Sequence, residues 1–314
     1  MGASVSVVGD RRARWSSERE ATTMMGFSGD ALLGALPWIA GSVVVLIAGT
    51  FMLGIRIGRH NVVDTAWGLL FVGVGIASLI TSQGHGDPVR RWLLAAMVTI
   101  WGLRLAVHVG RRAVGKGEDP RYEQLLSKGH TNPTVNAVLK VYLPQAVLAF
   151  LISAPLQVGS FEFGSVGVLG IVGVLVWAVG LFFEGVGDAQ MERYKKWKKA
   201  QPTDEVKGSV MDMGLWRFTR HPNYFGDACV WTGIFLVSAE RWPGALSLPA
   251  TAIMIYLLTF GSGKRNLERS MVKRPGYPEY MKRTSGFVPL PPKKEPAGPV
   301  ATQPDPADIS ILKR

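Results

Sequence analysis

The chain has 314 residues, is 47% hydrophobic and 18% charged, and carries a net charge of +12 with one cysteine. Its apolar residues come in blocks of about 20, the length that crosses a bilayer core, which excludes a soluble helical protein with narrow apolar stripes. Cys229 alone excludes an internal disulfide or a multi-cysteine metal site, and no two of the five histidines stand three or four apart, so no metal is expected.

Residues 1–30 read as a polar, disordered leader, with Met24 or Met25 an alternative start. Seven apolar blocks follow, near 31–53, 62–82, 92–110, 138–157, 165–183, 225–240 and 244–262. The expected fold is all-α: a polytopic membrane helical bundle of about seven transmembrane helices, forming one domain over 31–290. The fifth helix is expected to continue through Lys199 and to end before Pro202. From 291 to 314 the chain turns rich in Pro, Lys and Asp and reads as a disordered tail. Counting Lys140 at the edge of the fourth block, 27 of the 35 Lys and Arg fall near the loops after blocks one, three and five and in the tail. Positive residues stay cytoplasmic, so the N-terminus lies outside and the C-terminus in the cytoplasm. The charge is then topological and requires no nucleic acid.

Several polar groups stand out against this background. Asp64 opens the second block and Arg104 lies inside the third. Ionisable residues at membrane depth are usually paired or functional, and an Asp64–Arg104 ion pair is expected, serving either chemistry or helix register. His108, one turn on, reads as an interface residue. Glu184 and Asp188 share a helix face with Lys195, an arrangement suited to ribose hydroxyls and a phosphate, or equally to an ordinary solvated helix. The densest stretch runs from Arg217 to Asp227. Arg217 and Arg220 have forks that match phosphate oxygens. Asn223 offers the donor and acceptor that a carboxamide needs. His221, Tyr224 and Asp227 lie beside it, with Pro222 and Gly226 expected to set a turn and a helix start. The plainer reading is a capped helix with interfacial Arg and Tyr anchors. A last cluster comprises Arg265, Asn266, Glu268, Tyr277 and Tyr280; its first two residues also fit simple positive-inside flanking. No phosphate loop and no strand–GxGxxG–helix unit is present, so a nucleotide must bind without a Rossmann fold.

These motifs together resemble the steroid 5-alpha-reductase superfamily, in particular its bacterial branch of seven-helix membrane proteins known as DUF1295. The motifs are Val63-Asp64 with Trp67-Gly68, Trp101-Gly102-Leu103-Arg104, Glu118-Asp119-Pro120-Arg121-Tyr122, Glu184 with Asp188, Leu215-Trp216 through Asp227, and the ending from Tyr277 to Pro289. The resemblance implies a bacterial inner-membrane reductase that uses NADPH, bound from the cytoplasm, to saturate a carbon–carbon double bond in a hydrophobic lipid such as a steroid, isoprenoid or unsaturated acyl chain. It places Glu184, Asp188, Lys195 and Asn223 at the cofactor, with Glu and Lys departing from the family's Asn and Arg. The family's Glu–Tyr pair that holds a substrate ketone has no counterpart by motif, and Asp64, Arg104 and Tyr122 are the nearest catalytic candidates. A second resemblance competes. Arg220-His221-Pro222-x-Tyr224-x-Gly226, followed by Glu268 and Tyr277-x-x-Tyr280, is similar to isoprenylcysteine carboxyl methyltransferases, which bind S-adenosylmethionine. A non-catalytic membrane protein or transporter is the third reading.

Overall fold

The computed structural model describes residues 26–127, 132–201, 209–261 and 263–293. Backbone polar groups in hydrocarbon must be satisfied within their own segment, which long apolar runs achieve by coiling. Accordingly, the described residues form helices and no strand beyond two isolated bridges. We number the helices α1 (Gly29–Ile57), α2 (Val62–Thr81), α3 (Pro88–Ala113), α4 (Pro120–Ser127), α5 (Pro133–Ile152, with a π turn over Val138–Tyr142), α6 (Ala154–Gly159), α7 (Val168–Ala200), α8 (Pro222–Ser238), α9 (Trp242–Ala245), α10 (Leu248–Thr259), α11 (Lys264–Met271) and α12 (Tyr277–Arg283).

Among the described residues, six stretches of 18 residues or more are apolar enough to cross a membrane: α1, α2, α3, α5, α7 and Trp242–Met271. Seven were expected. The seventh expected block forms α8, whose 17 residues reach about 26 Å at 1.5 Å per residue, the short end of the range that crosses a bilayer core. The fourth span begins at Pro133, five residues before the apolar block, because the Asn132 side chain accepts from the Thr134 N–H at 2.9 Å and Pro133 fills the first helical position. α7 ends at Ala200; Pro202 lies outside the described residues. At the N-terminal side, Phe27 already bridges to Glu162 and α1 begins at Gly29, while 1–25, with Met24 and Met25, lie outside. Of the tail only 291–293 are described, and the Lys293 N–H donates to the Arg283 carbonyl at 2.9 Å.

The chain divides into two units, Met1–Val174 with Ile234–Thr251 and Leu175–Gly233 with Ala252–Arg314. In the first, α2 and α3 touch backbone to backbone at Gly68 and Gly102. A Cβ on Gly102 would stand 2.6 Å from the Gly68 carbonyl oxygen. At one end of this unit the segments before α1, α3 and α7 gather. The Ser28 N–H donates to Phe161 and the Asp87 N–H to Glu162. The Arg90–Glu162 pair, 3.3 Å apart and wholly buried, sits there, and Glu162 also accepts from the Gly244 N–H at 2.6 Å. Burial pushes the Glu162 carboxyl up to about 8, with Arg90 and the Gly244 N–H pulling against it. In the second unit a matching glycine pair joins α7 and α8: a Cβ on Gly226 would lie 2.5 Å from the Gly180 carbonyl and 2.6 Å from the Glu184 nitrogen. Gly226 therefore serves close helix packing, not the turn expected from its place after Pro222.

Candidate functional site

The second unit holds most of the polar residues singled out by sequence. Its scaffold is a loop laced to its neighbours. The Leu215 N–H donates to Gln190 Oε1 at 3.0 Å, and the Trp216 indole N–H to the Gly187 carbonyl at 3.0 Å. The Tyr280 hydroxyl donates to the Trp216 carbonyl at 2.5 Å. Thr219 pairs with Ser285, the Arg220 N–H donates to the Ser285 carbonyl at 2.9 Å, and Thr219 Oγ1 donates to the Phe287 carbonyl at 2.8 Å. The closing Gly286–Pro289 segment thus fixes the residues that lead into α8.

On that scaffold Arg220, His221 and Glu268 converge. Glu268 Oε1 accepts from Arg220 Nε at 2.8 Å and from His221 Nε2 at 3.0 Å. Arg220 Nη1 donates to the Met281 and Thr284 carbonyls at 3.1 and 2.6 Å. Gly286 leaves room here: a Cβ on it would meet Arg220 Nη2 and Lys264 Nζ, each at 3.0 Å. His221 is 1% exposed and stacks on Tyr224, ring centroids 5.4 Å apart. Burial holds its pKa below the ordinary range, with Glu268 pulling the other way. A neutral imidazole then gives its Nε2–H to the carboxylate. Tyr277 and Tyr280 are buried beside one another. Burial lifts the Tyr277 phenol to about 12 and pushes Tyr280 up as well, so both remain protonated donors.

The α7 face lies in the same unit. Glu184 is buried, Asp188 half-buried and Lys195 exposed. Asn223, in the first turn of α8, donates to Asp188 Oδ1 at 3.2 Å and accepts from the Tyr224 N–H at 3.1 Å. Asp227 stands one turn further along α8, half-buried. Arg217, Arg265 and Asn266 are exposed, and none of them joins the Arg220–His221–Glu268 cluster.

The first unit has its own polar cluster, built around the start of α2. Tyr122 donates its hydroxyl to Asp64, and Arg121 Nη2 pairs with Asp64 Oδ2 at 3.2 Å. Gln145 Nε2 donates to the Tyr122 hydroxyl at 3.4 Å. Asp64 thus takes Arg121 and Tyr122 as partners, not the expected Arg104. The reason is local: α4 presents both residues to the first turn of α2. Asp119 holds the Arg121 fork at 2.9–3.0 Å, and that bonding keeps the Asp119 carboxyl below its ordinary range. Burial, reinforced by Asp64, pushes the Tyr122 phenol up. Glu118 accepts from the His60 and Asn61 N–H groups, capping α2. Sequence reasoning noted Glu118 and Arg121 within a motif but gave neither a role. Asp212, paired with Arg283, and Gln190, under Leu215, were missed altogether. None of these four carries a spacing signal toward its partner.

Among the described residues no three His, Cys, Asp or Glu side chains are placed to hold a metal ion. A family model described as "Protein of unknown function (DUF1295)" matches residues 50–284. An uncharacterized protein of Schizosaccharomyces pombe is 22% identical over 277 residues, 81% of this chain and 80% of its own length. No solved structure matches.

Proposed function

We propose, from the premise that this chain belongs to the DUF1295 family of proteins of unknown function, that it is an NADPH-dependent membrane reductase that saturates a carbon–carbon double bond in a hydrophobic lipid. The observation that carries the reading is the hydrogen bond from Asn223 to Asp188. It brings together in one unit the α7 face and the α8 start, the two places that the resemblance to steroid 5-alpha-reductases assigns to the cofactor. The residues fit such a ligand. Asn223 uses one amide hydrogen on Asp188 and has a second to offer a carboxamide. Lys195 and Arg217 are exposed cations of the kind that meets phosphates. NADPH, when bound, supplies a hydride.

The chain's own groups do the rest of the work. Glu268, itself bonded by His221, holds Arg220 in place, and Tyr277 and Tyr280 are buried in the same unit. In the first unit, Tyr122 and Asp64 form a carboxylate–phenol pair, the residue types that the resemblance uses to hold a substrate's polar group. Arg121 pairs with the Asp64 carboxyl group, and Gln145 donates to the phenol oxygen. The cofactor site faces the cytoplasm by the distribution of Lys and Arg, in a bacterial inner membrane by the resemblance.

The tight Arg220–His221–Glu268 cluster with Tyr277 and Tyr280 favours a second reading, an S-adenosylmethionine-dependent methyltransferase of the isoprenylcysteine carboxyl methyltransferase type. Asn223→Ala separates the two. In the reductase it abolishes NADPH binding while the protein stays monodisperse and thermally unchanged. Unchanged NADPH binding in that variant removes the assignment.

A further inference from the structure

The junction of α10 and α11 is built unlike the rest of the second unit. α11 has no buried residue, although it follows directly on an apolar helix. Leu267 is 43% exposed on one flank, and Val272 just beyond the helix is 44% exposed. Arg265 and Arg269 are both exposed and stand one turn apart, with Lys273 following. Like charges at this spacing oppose the helix unless an anion lies between them. Among the described residues no hydrogen bond or ion pair engages the side chains of Arg265, Arg269 or Lys273. Immediately before them Tyr256 and Phe260 stand 59% and 62% exposed, their rings 6.1 Å apart. Exposed aromatic rings followed by unpaired basic residues mark the level where hydrocarbon gives way to headgroups.

We infer that this junction is a binding site for an anionic phospholipid. Arg265 and Arg269 take the headgroup phosphate, Lys273 adds charge at its edge, and Tyr256 and Phe260 lie along the upper acyl chains. The argument for a lipid over a free anion is that the exposed rings pass directly along the chain into the exposed arginines, since a soluble phosphate would use the arginines and leave Tyr256 and Phe260 bare. Arg265, grouped by sequence with the cofactor residues, is thereby given a different partner. The inference is independent of the reductase reading, because none of these groups touches Asp188, Asn223 or His221.

The test places the full-length protein in nanodiscs of phosphatidylcholine with phosphatidylglycerol and counts retained lipids by native mass spectrometry. The wild type retains phosphatidylglycerol selectively, and added salt weakens retention. Arg265→Gln and Arg269→Gln each lower it about fivefold, with the unfolding temperature in pure phosphatidylcholine unchanged. Where the glutamine variants are less stable, Arg265→Lys with Arg269→Lys, which keeps both charges, restores most of the retention. Equal retention by wild type and the double glutamine variant, or a double lysine variant no better than the glutamine one, overturns the site.

Discussion

Glu268 Oε1 serves two donors at once, Arg220 Nε at 2.8 Å and His221 Nε2 at 3.0 Å. Burial disfavours a charge on His221 and lowers its pKa from the ordinary 6.5, with Glu268 pulling the other way. The sign follows from linkage. With the folded value depressed, His221 contributes stability that is fully present above pH 6.5 and is lost as pH falls through the lowered value, where the unfolded chain binds the extra proton. The unfolding temperature is therefore expected to drop as pH is taken from about 7 to about 5, and His221→Asn to flatten that slope. A variant with the wild-type slope assigns the pH dependence to other groups. At this scale the sequence was a good guide to residue type and a poor one to pairing. Arg220, His221 and Glu268 were legible because polar residues at a membrane edge are costly without partners. The partner of Asp64 was not, because the choice between Arg104 and Arg121 depends on where α4 lies, and eight residues of helix after a proline leave no periodic signal strong enough to place it.

Among the elements, the two glycine pairs decide where helices meet. Gly226 is closed in by the Gly180 carbonyl and the Glu184 nitrogen, so even a methyl group must push α8 from α7. Gly226→Ala is expected to cost about 1–3 kcal/mol of stability and to weaken NADPH binding, since Asn223 and Asp188 sit on the two helices being separated. Denaturant unfolding and a binding titration check both effects. Unchanged stability would show that α7 and α8 can separate freely at this point. The apolar blocks announced the spans because their length is set by the bilayer. Their ends were less legible. Asn132 and Pro133 cap and start α5 inside a polar stretch, a local signal outweighed by the hydropathy of the block that follows. α8 is the shortest of the expected spans: Phe225–Glu240 is apolar, and the helix runs Pro222–Ser238, at the lower end of the length that crosses a bilayer.

For the whole molecule, the candidate ligand-binding groups fall on separate units, Asp64–Tyr122–Arg121 in the first and Arg220–His221–Glu268 with Asp188–Asn223 in the second. A reductase uses such a division to bind two ligands by different residues. Asp64→Asn removes the charge that Arg121 and Tyr122 address, and is expected to lower lipid turnover by about tenfold or more, as loss of a positioned acid–base group does, while leaving NADPH affinity unchanged. Loss of both together would make the Asp64 cluster a structural tie for α2. The central claim is that the second unit binds NADPH, and the most direct measurement is equilibrium binding by the purified protein in detergent, with NADPH and S-adenosylmethionine titrated in parallel. The account predicts saturable NADPH binding and none of S-adenosylmethionine; saturable S-adenosylmethionine binding without NADPH would contradict it and transfer the site to methyl transfer.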